Sequence, residues 1–138
     1  MKAYRILAIA LVAILVFGCS AAKYEAEKTL MTSVTNAMET LTSAINSAGA
    51  PQEITSAANA FSDQIEKLAP AMKKLTDEHP DWEINPPSQL KETMDKYKTA
   101  SMGMQGAMQK LMQTASQYPD DVELQSAMNK FQSVVAGL

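Results

Sequence analysis

From Lys23 onward, apolar residues recur at alternating steps of three and four, which is the spacing of one face of an α-helix. Four such stripes can be followed. Their positions are Leu30, Val34, Met38, Leu41, Ile45 and Ala48; Ile54, Ala58, Phe61, Ile65, Leu68, Met72 and Leu75; Leu90, Met94, Tyr97, Ser101, Met104, Met108, Leu111 and Ala115; and Leu124, Met128, Phe131, Val135 and Leu138. No stretch alternates with period two and is rich in Val, Ile and Thr, so no strand is predicted. Since the connections within each pair of helices are short, the expected fold is all-α, an up-down-up-down antiparallel four-helix bundle.

Two prolines bear on the first pair of helices. Gly49-Ala50-Pro51 predicts the end of one helix and the immediate start of the next, because Pro suits the first helical turn. Pro70 lies inside the second stripe, where it removes one helical hydrogen bond. The stripe continues in register beyond Pro70, so we expect one kinked helix and not two.

The second pair of helices follows one long loop, from His79 to Pro87. Asn85 or Ser88 is placed to cap the third helix, since either side-chain oxygen can accept from a free backbone N–H group. Asp120 with Glu123 resembles a capping box and predicts that the fourth helix starts there.

The N-terminal residues follow a different pattern. Lys2 and Arg5 precede an unbroken apolar run, Ile6–Phe17. A helix that crosses a bilayer needs about 20 apolar residues, so this run of about a dozen is too short and is typical of a signal-peptide core. A cleavage site is therefore expected directly after it.

The residues at that site resemble a known signal. Val16-Phe17-Gly18-Cys19 resembles the lipobox of bacterial lipoproteins, in which an aliphatic, a variable and a small residue precede a cysteine. The resemblance implies a signal peptide over residues 1–18, cleavage before Cys19 and a diacylglyceryl group on its sulfur, by which the protein is anchored to a membrane. Residues 19–23 would form a lipidated tether and residues 24–138 the bundle. By resemblance to lipoprotein sorting in Gram-negative bacteria, Ser20 in place of Asp favours the outer membrane. The alternative is an ordinary secretory signal in which the cysteine has no part.

The charge of the processed chain excludes one class of partner. The formal net charge is −3, and Arg5 is the only Arg. Removing residues 1–18 takes away Lys2 and Arg5, which moves the charge from −3 to about −5. Nucleic-acid binding depends on basic patches and on the bidentate Arg guanidinium, so no nucleic-acid partner is expected.

Part of the first stripe resembles a haem protein family. Met38-Glu39-Thr40-Leu41 and the Pro-Pro pair in the long loop resemble the cytochrome b562 family of periplasmic four-helix bundles. The resemblance implies haem b with Met38 as one axial ligand. The family's axial His near the end of the fourth helix has no counterpart, because His79 in the long loop is the only His. Two alternatives remain for His79: a haem ligand opposite Met38, or a residue that ends the second helix in solvent, where a cation suits the helix dipole.

Methionines crowd the third helix. Met104, Met108 and Met112 share one face, and thioethers are soft ligands for Cu(I). The same face is the predicted core stripe, and methionine also serves adaptable binding surfaces. Core packing, a partner groove and copper binding are therefore alternatives. Met102 lies off the stripe, so its exposure would favour a partner contact.

The long loop also carries apolar bulk. Trp82 is the only Trp, and Ile84 lies two residues further on. Trp82 either covers the last core layer at the open end of the bundle or, with Ile84, contacts a partner, since Trp is enriched at interaction hot spots.

No catalytic arrangement is apparent in the sequence. The single His is followed by Pro in a loop, and the single Cys occupies the lipobox, so no nucleophile has a base predicted beside it. The expected function is that of a membrane-anchored, non-enzymatic lipoprotein of the cell envelope that binds an unidentified partner and needs no cofactor. The alternative is a haem- or copper-binding bundle for electron transfer or metal handling.

Overall fold

The computed structural model describes residues 23–137, and within this range it contains four α-helices, one short 3-10 helix and no strand. The α-helices are α1 (Glu25–Ser47), α2 (Pro51–Glu78), α3 (Lys91–Gln117) and α4 (Val122–Val135). This confirms the all-α four-helix prediction. None of these helices is long and apolar enough to cross a bilayer. The predicted signal peptide and Cys19 lie outside the described residues, as does Leu138 of the fourth stripe.

The helices alternate in direction and form two hairpins. α1 and α3 are parallel, because Met31 packs with Leu90 and Met94 near their N-terminal ends while Lys110 reaches the Ile45 carbonyl near their C-terminal ends. α1 packs against both α2 and α3, whereas α4 packs against α2 and, less extensively, against α3. α2 and α3 therefore occupy opposite corners of the bundle and make little direct contact.

The connection between α1 and α2 is held by a carboxylate. The Glu53 side chain accepts hydrogen bonds from the backbone N–H groups of Gly49 (2.6 Å) and Ala50 (3.3 Å). Pro51 is the first residue of α2, as predicted. α2 continues through Pro70, which is exposed, so the prediction of a single helix is confirmed.

The capping-box prediction for α4 is wrong by one residue. Asp121, and not Asp120, is the N-cap, and its carboxylate accepts a hydrogen bond from the Leu124 N–H at 3.0 Å. The helix accordingly begins at Val122. Both aspartates fit a cap in sequence, and the extended backbone at Asp121 decides between them.

The predicted caps of α3 are also wrong. Residues Ser88–Leu90 form a 3-10 helix that leads directly into α3, and no side chain caps either element. The Ser88 hydroxyl donates instead to the Gln89 side chain, and Asn85 is exposed in the loop. The 3-10 turn makes a capping side chain unnecessary, since its own bonds satisfy part of the helix end.

Two clusters of buried apolar side chains form the core. The main cluster comes from all four helices, and its Phe61 and Phe131 rings link α2 to α4 with centroids 5.5 Å apart. The second, which we call the end cluster, consists of Met31, Leu90 and Met94. The predicted stripes supply fifteen of these twenty residues, and the other five are Met31 and four alanines, Ala37, Ala100, Ala107 and Ala127. In α1, Met31 is buried in the second turn, whereas the predicted Leu30 is only half-buried.

An ion pair on the surface joins the two helices that the phenylalanines join inside. The Lys130 ammonium of α4 bonds to Asp63 and lies 3.5 Å from Glu66, both on α2. The hydrogen bond from Lys130 and its charge lower the pKa of the Asp63 carboxyl. Because the pair is exposed, water and salt screen it and its contribution to stability is small.

Candidate functional site

The first described residues, Lys23 and Tyr24, lie at the end of the bundle that carries the long loop. The Tyr24 ring meets the Trp82 ring edge-on, with centroids 5.3 Å apart and an interplanar angle of 79°. Both rings pack against the end cluster. The start of α1 is therefore fixed beside the loop, and Cys19, although outside the described residues, lies only five residues before Tyr24.

The loop is folded tightly around its only Trp. The backbone N–H of Trp82 donates to the His79 carbonyl at 3.2 Å, and the backbone N–H of Asn85 donates to the Asp81 carbonyl at 2.8 Å. The His79 and Trp82 rings are stacked, with centroids 3.7 Å apart and planes 8° from parallel. Trp82 is half-buried and packs against the end cluster. Ile84 is 90% exposed and is the most prominent apolar side chain of the loop.

A groove of about 560 Å³ opens beside this loop, between the C-terminal half of α2 and the N-terminal half of α3. It exists because α4 has 14 residues against 28 in α2 and 27 in α3, so α4 covers only part of the space between them. We call it the α2–α3 groove. Its lining residues are Met31, Met72, Leu75, Thr76, His79, Pro80, Trp82, Glu83, Met94, Tyr97, Lys98, Ser101 and Met102.

The short α4 leaves predicted core positions open in this groove. Leu75, Met72 and Tyr97 belong to the apolar stripes but are only half-buried. Burial raises the pKa of the Tyr97 phenol, and the charge of Glu83 raises it further. Met102 is 64% exposed, so the structure brings together two of the predicted contact residues, Trp82 and Met102, on one concave surface. Ile84, the third, lies on the adjoining loop.

The two residues considered for haem ligation lie in different parts of the bundle. Met38 is 2% exposed and belongs to the main core cluster. His79 stacks on Trp82 at the loop end, over the end cluster that begins with Met31. Met38 lies two helical turns from Met31, or about 10 Å along α1. The described residues therefore place Met38 among core side chains and His79 at the surface of the bundle end.

The methionines of α3 do not share one environment. Met104 is buried, Met108 is half-buried and Met112 is 49% exposed. Four residues are slightly more than one helical turn of about 3.6 residues, so each step rotates the side chain by about 40° around the helix and the row turns gradually away from the core. Met104 and Met108 pack in or against the main cluster. Core packing is thus the observed role of those two residues.

Sequence reasoning missed Lys110. Its ammonium donates to the carbonyl of Ile45 at 2.7 Å and lies 3.3 Å from that of Asn46 and 3.4 Å from that of Ala48. The Ile45 carbonyl also accepts from the Ala48 backbone N–H at 3.4 Å, but the Gly49 and Ala50 N–H groups bond to Glu53, so the last carbonyls of α1 lack their usual helical donors. A cation is favoured at such a helix end. Nothing in the sequence signals this contact, because it depends on how α3 is aligned with α1.

The described residues form other clefts as well. One follows the seam between α1 and α2, where Leu41, Phe61 and four alanines line it together with polar side chains such as Gln52 and Glu53. Another, between α1 and α3, is polar and already contains the ion pair of Glu92 with Lys96 at 2.8 Å, which lowers the pKa of the Glu92 carboxyl. The α2–α3 groove has an apolar lining with a few polar groups, the character typical of ligand pockets, and it adjoins the loop that packs on the start of α1.

Comparison with known proteins found no matching family model, no matching curated protein and no matching solved structure. Across residues 23–137, no three His, Cys, Asp or Glu side chains are grouped closely enough to hold a metal ion. The candidate site is therefore described by its geometry: the α2–α3 groove and the adjoining loop, at the end of the bundle where α1 begins.

Proposed function

We propose that this chain is a lipid-anchored protein of a bacterial envelope and that its helical bundle acts by binding, without catalysis. One observation carries the proposal. The only cysteine, Cys19, directly follows Val16-Phe17-Gly18 at the end of an apolar run of about a dozen residues, where a lipoprotein signal requires it. Two or three acyl chains on Cys19 would hold the bundle stably on a membrane, since each buried methylene contributes about 0.8 kcal/mol.

The position of the candidate site agrees with such an anchor. Cys19 is separated from Tyr24 by four residues, which span at most about 17 Å between the two positions when extended. Tyr24 packs on Trp82, so the loop and the α2–α3 groove belong to the end of the bundle that the anchor holds nearest the membrane. A binding surface formed by Trp82, Ile84 and Met102 would therefore act at the membrane surface. If the source is Gram-negative, Ser20 favours the outer membrane.

The experiment follows fatty-acid incorporation into the chain in a bacterial host. Cells that express the full chain are fed an alkyne-tagged palmitate, and the protein is then purified and coupled to a fluorophore. We expect label on the wild type, none on Cys19→Ala, and full label on the matched neighbour Ser20→Ala. The Cys19→Ala protein should also keep residues 1–18. Label that persists in Cys19→Ala, or that is missing from the wild type, would remove the anchor from the proposal.

A further inference from the structure

The α2–α3 groove is a place where the bundle lacks a fourth helix. α2 and α3 lie at opposite corners, and α4 separates them only over its own 14 residues. About 20 Å of α2 extends beyond the length of α4, as judged from the rise of a helix. Along this length Met72 and Leu75 of α2 and Tyr97 of α3 are only half-buried and Met102 is exposed, while Met94 beneath them is buried. The space is thus an open groove of about 560 Å³ with a buried floor.

The lining of the groove suits a flexible aliphatic chain. Four of the ten methionines of the chain line it, together with Leu75, Trp82 and Tyr97. Thioether side chains have several rotatable bonds and adapt to irregular apolar ligands. Met31 and Met94 form the floor, since both are buried, while Met72 is half-buried and Met102 is exposed at the edge. A volume of about 560 Å³ lies within the range of small-molecule sites.

A single free cation lies at this groove. Lys98 is exposed, and within residues 23–137 it forms no ion pair, whereas Lys73, Lys74, Lys96 and Lys130 each do. Ser101 lies one turn further along α3 and adds a hydroxyl to the same wall. Glu83 is the one carboxylate among the lining residues, and it lies near Tyr97 on the loop side. Lys98 and Ser101 therefore offer a positive, hydrogen-bonding position beside the apolar lining.

We propose that the α2–α3 groove binds a long-chain fatty acid, with its alkyl chain along the methionines and its carboxylate at Lys98. The inference deepens the proposed function by naming a ligand for its binding surface. It does not require lipidation of Cys19, because every lining residue lies between Met31 and Met102. An anionic head and an aliphatic chain match the one free ammonium and the apolar lining, whereas a neutral amphiphile would leave Lys98 without a partner.

The binding measurement uses residues 20–138, a fragment that carries all four helices and both core clusters. A helical circular dichroism spectrum with a cooperative urea transition is required of every variant. The probe is cis-parinaric acid, a fluorescent polyene fatty acid, in detergent-free buffer. We expect its emission to rise on binding, and octanoate, decanoate and laurate to displace it with increasing affinity. Each added methylene should tighten binding by about two- to fourfold, the upper figure applying to complete burial.

Two pairs of variants locate the head and the chain. Lys98→Gln should lower the affinity for laurate by about two- to fivefold, as expected for an exposed charge, and should leave the affinity for dodecanol unchanged. Lys91→Gln, an exposed α3 lysine outside the groove, is its control and should change neither ligand. Met102→Gln should weaken laurate and dodecanol alike. Met112→Gln makes the same change at another exposed methionine of α3, outside the groove, and should weaken neither.

Several results would overturn the inference. One is the absence of any rise in cis-parinaric acid emission, and another is a set of fatty-acid affinities that do not depend on chain length. A third is an equal loss of laurate affinity in Met102→Gln and Met112→Gln. An equal response of laurate to Lys98→Gln and Lys91→Gln would reject the position of the carboxylate. Because the fragment lacks Cys19, a negative result here leaves the lipid anchor intact, and a failure of fatty-acid labelling at Cys19 leaves the groove intact.

Discussion

At the scale of single residues, Thr42 is unusual among the hydroxyl side chains. Its Oγ1 is buried and has no hydrogen-bond partner among the described residues, whereas Thr35 donates to the Met31 carbonyl at 2.8 Å. An unpaired buried polar group costs about 1–3 kcal/mol. Thr42→Val should therefore raise the free energy of unfolding by about 1 kcal/mol, because Val keeps the methyl group that faces Gly103.

Urea unfolding of residues 20–138 measures this change. Thr35→Val is the matched control, since it removes a hydroxyl that does have a partner, and it should not stabilise the protein. If Thr42→Val lowered stability as much as Thr35→Val, the Thr42 hydroxyl would have to be hydrogen-bonded in solution.

The role of a single residue can be predicted from sequence when it depends on neighbouring residues, and not when it depends on how two helices are aligned. Met38 and Trp82 could be assigned to the core and to the bundle end from stripe and loop positions alone. Lys110 could not, because its acceptors lie on another helix about 65 residues away. Asp121 could have been considered beside Asp120, but the choice between two adjacent aspartates depends on backbone angles that the sequence does not show.

At the scale of elements, the start of α4 provides a direct test of the cap. Asp121→Ala removes the carboxylate that accepts from the Leu124 N–H, and it should lower the free energy of unfolding by about 1 kcal/mol. Asp120→Ala, one residue earlier and exposed, should change it by less than about 0.5 kcal/mol. If urea melts showed that Asp120→Ala lowers the free energy of unfolding more than Asp121→Ala does, Asp120 would be the N-cap, as the sequence predicts.

Pro70 tests the continuity of α2. Its ring removes the N–H that would bond to the Glu66 carbonyl, so Pro70→Ala should restore that bond and raise the free energy of unfolding by about 1 kcal/mol. Pro51→Ala is the control, since an N–H at the first helical position has no intrahelical partner to gain. That variant should lose up to about 1 kcal/mol through the greater freedom of its unfolded chain. If Pro70→Ala also lowered the free energy of unfolding, the proline would be needed for the shape of α2.

At the scale of the whole molecule, the core joins α2 to α4 through Phe61, which is 3% exposed. Phe61→Ala should lower the free energy of unfolding by about 3–5 kcal/mol, because it leaves a cavity against Phe131. Ile84→Ala removes a similar apolar bulk from a side chain that is 90% exposed, and it should cost less than about 0.5 kcal/mol. If urea melts showed equal losses of unfolding free energy for Phe61→Ala and Ile84→Ala, Phe61 would not be packed against Phe131 in solution.

The fold class and the helix directions could be predicted, because stripe spacing and short connections determine them. The order of helices around the bundle could not. The same stripes are compatible with α3 beside α2 or with α3 beside α1, and the nine-residue loop from His79 to Pro87 is long enough to connect the helices in either order. The α2–α3 groove depends on that order. Its one visible sequence signal is the short fourth stripe, which begins only at Leu124 and leaves part of the longer second and third stripes without a partner.

The proposed anchoring of this bundle through an acylated Cys19 can be tested by the intact mass of the protein extracted from bacterial membranes. We predict the mass of residues 19–138 plus two or three acyl chains, with fragment ions that assign the added mass to Cys19. The mass of the unprocessed chain, or of an unmodified chain cleaved at another position, would show that Cys19 does not carry a lipid anchor.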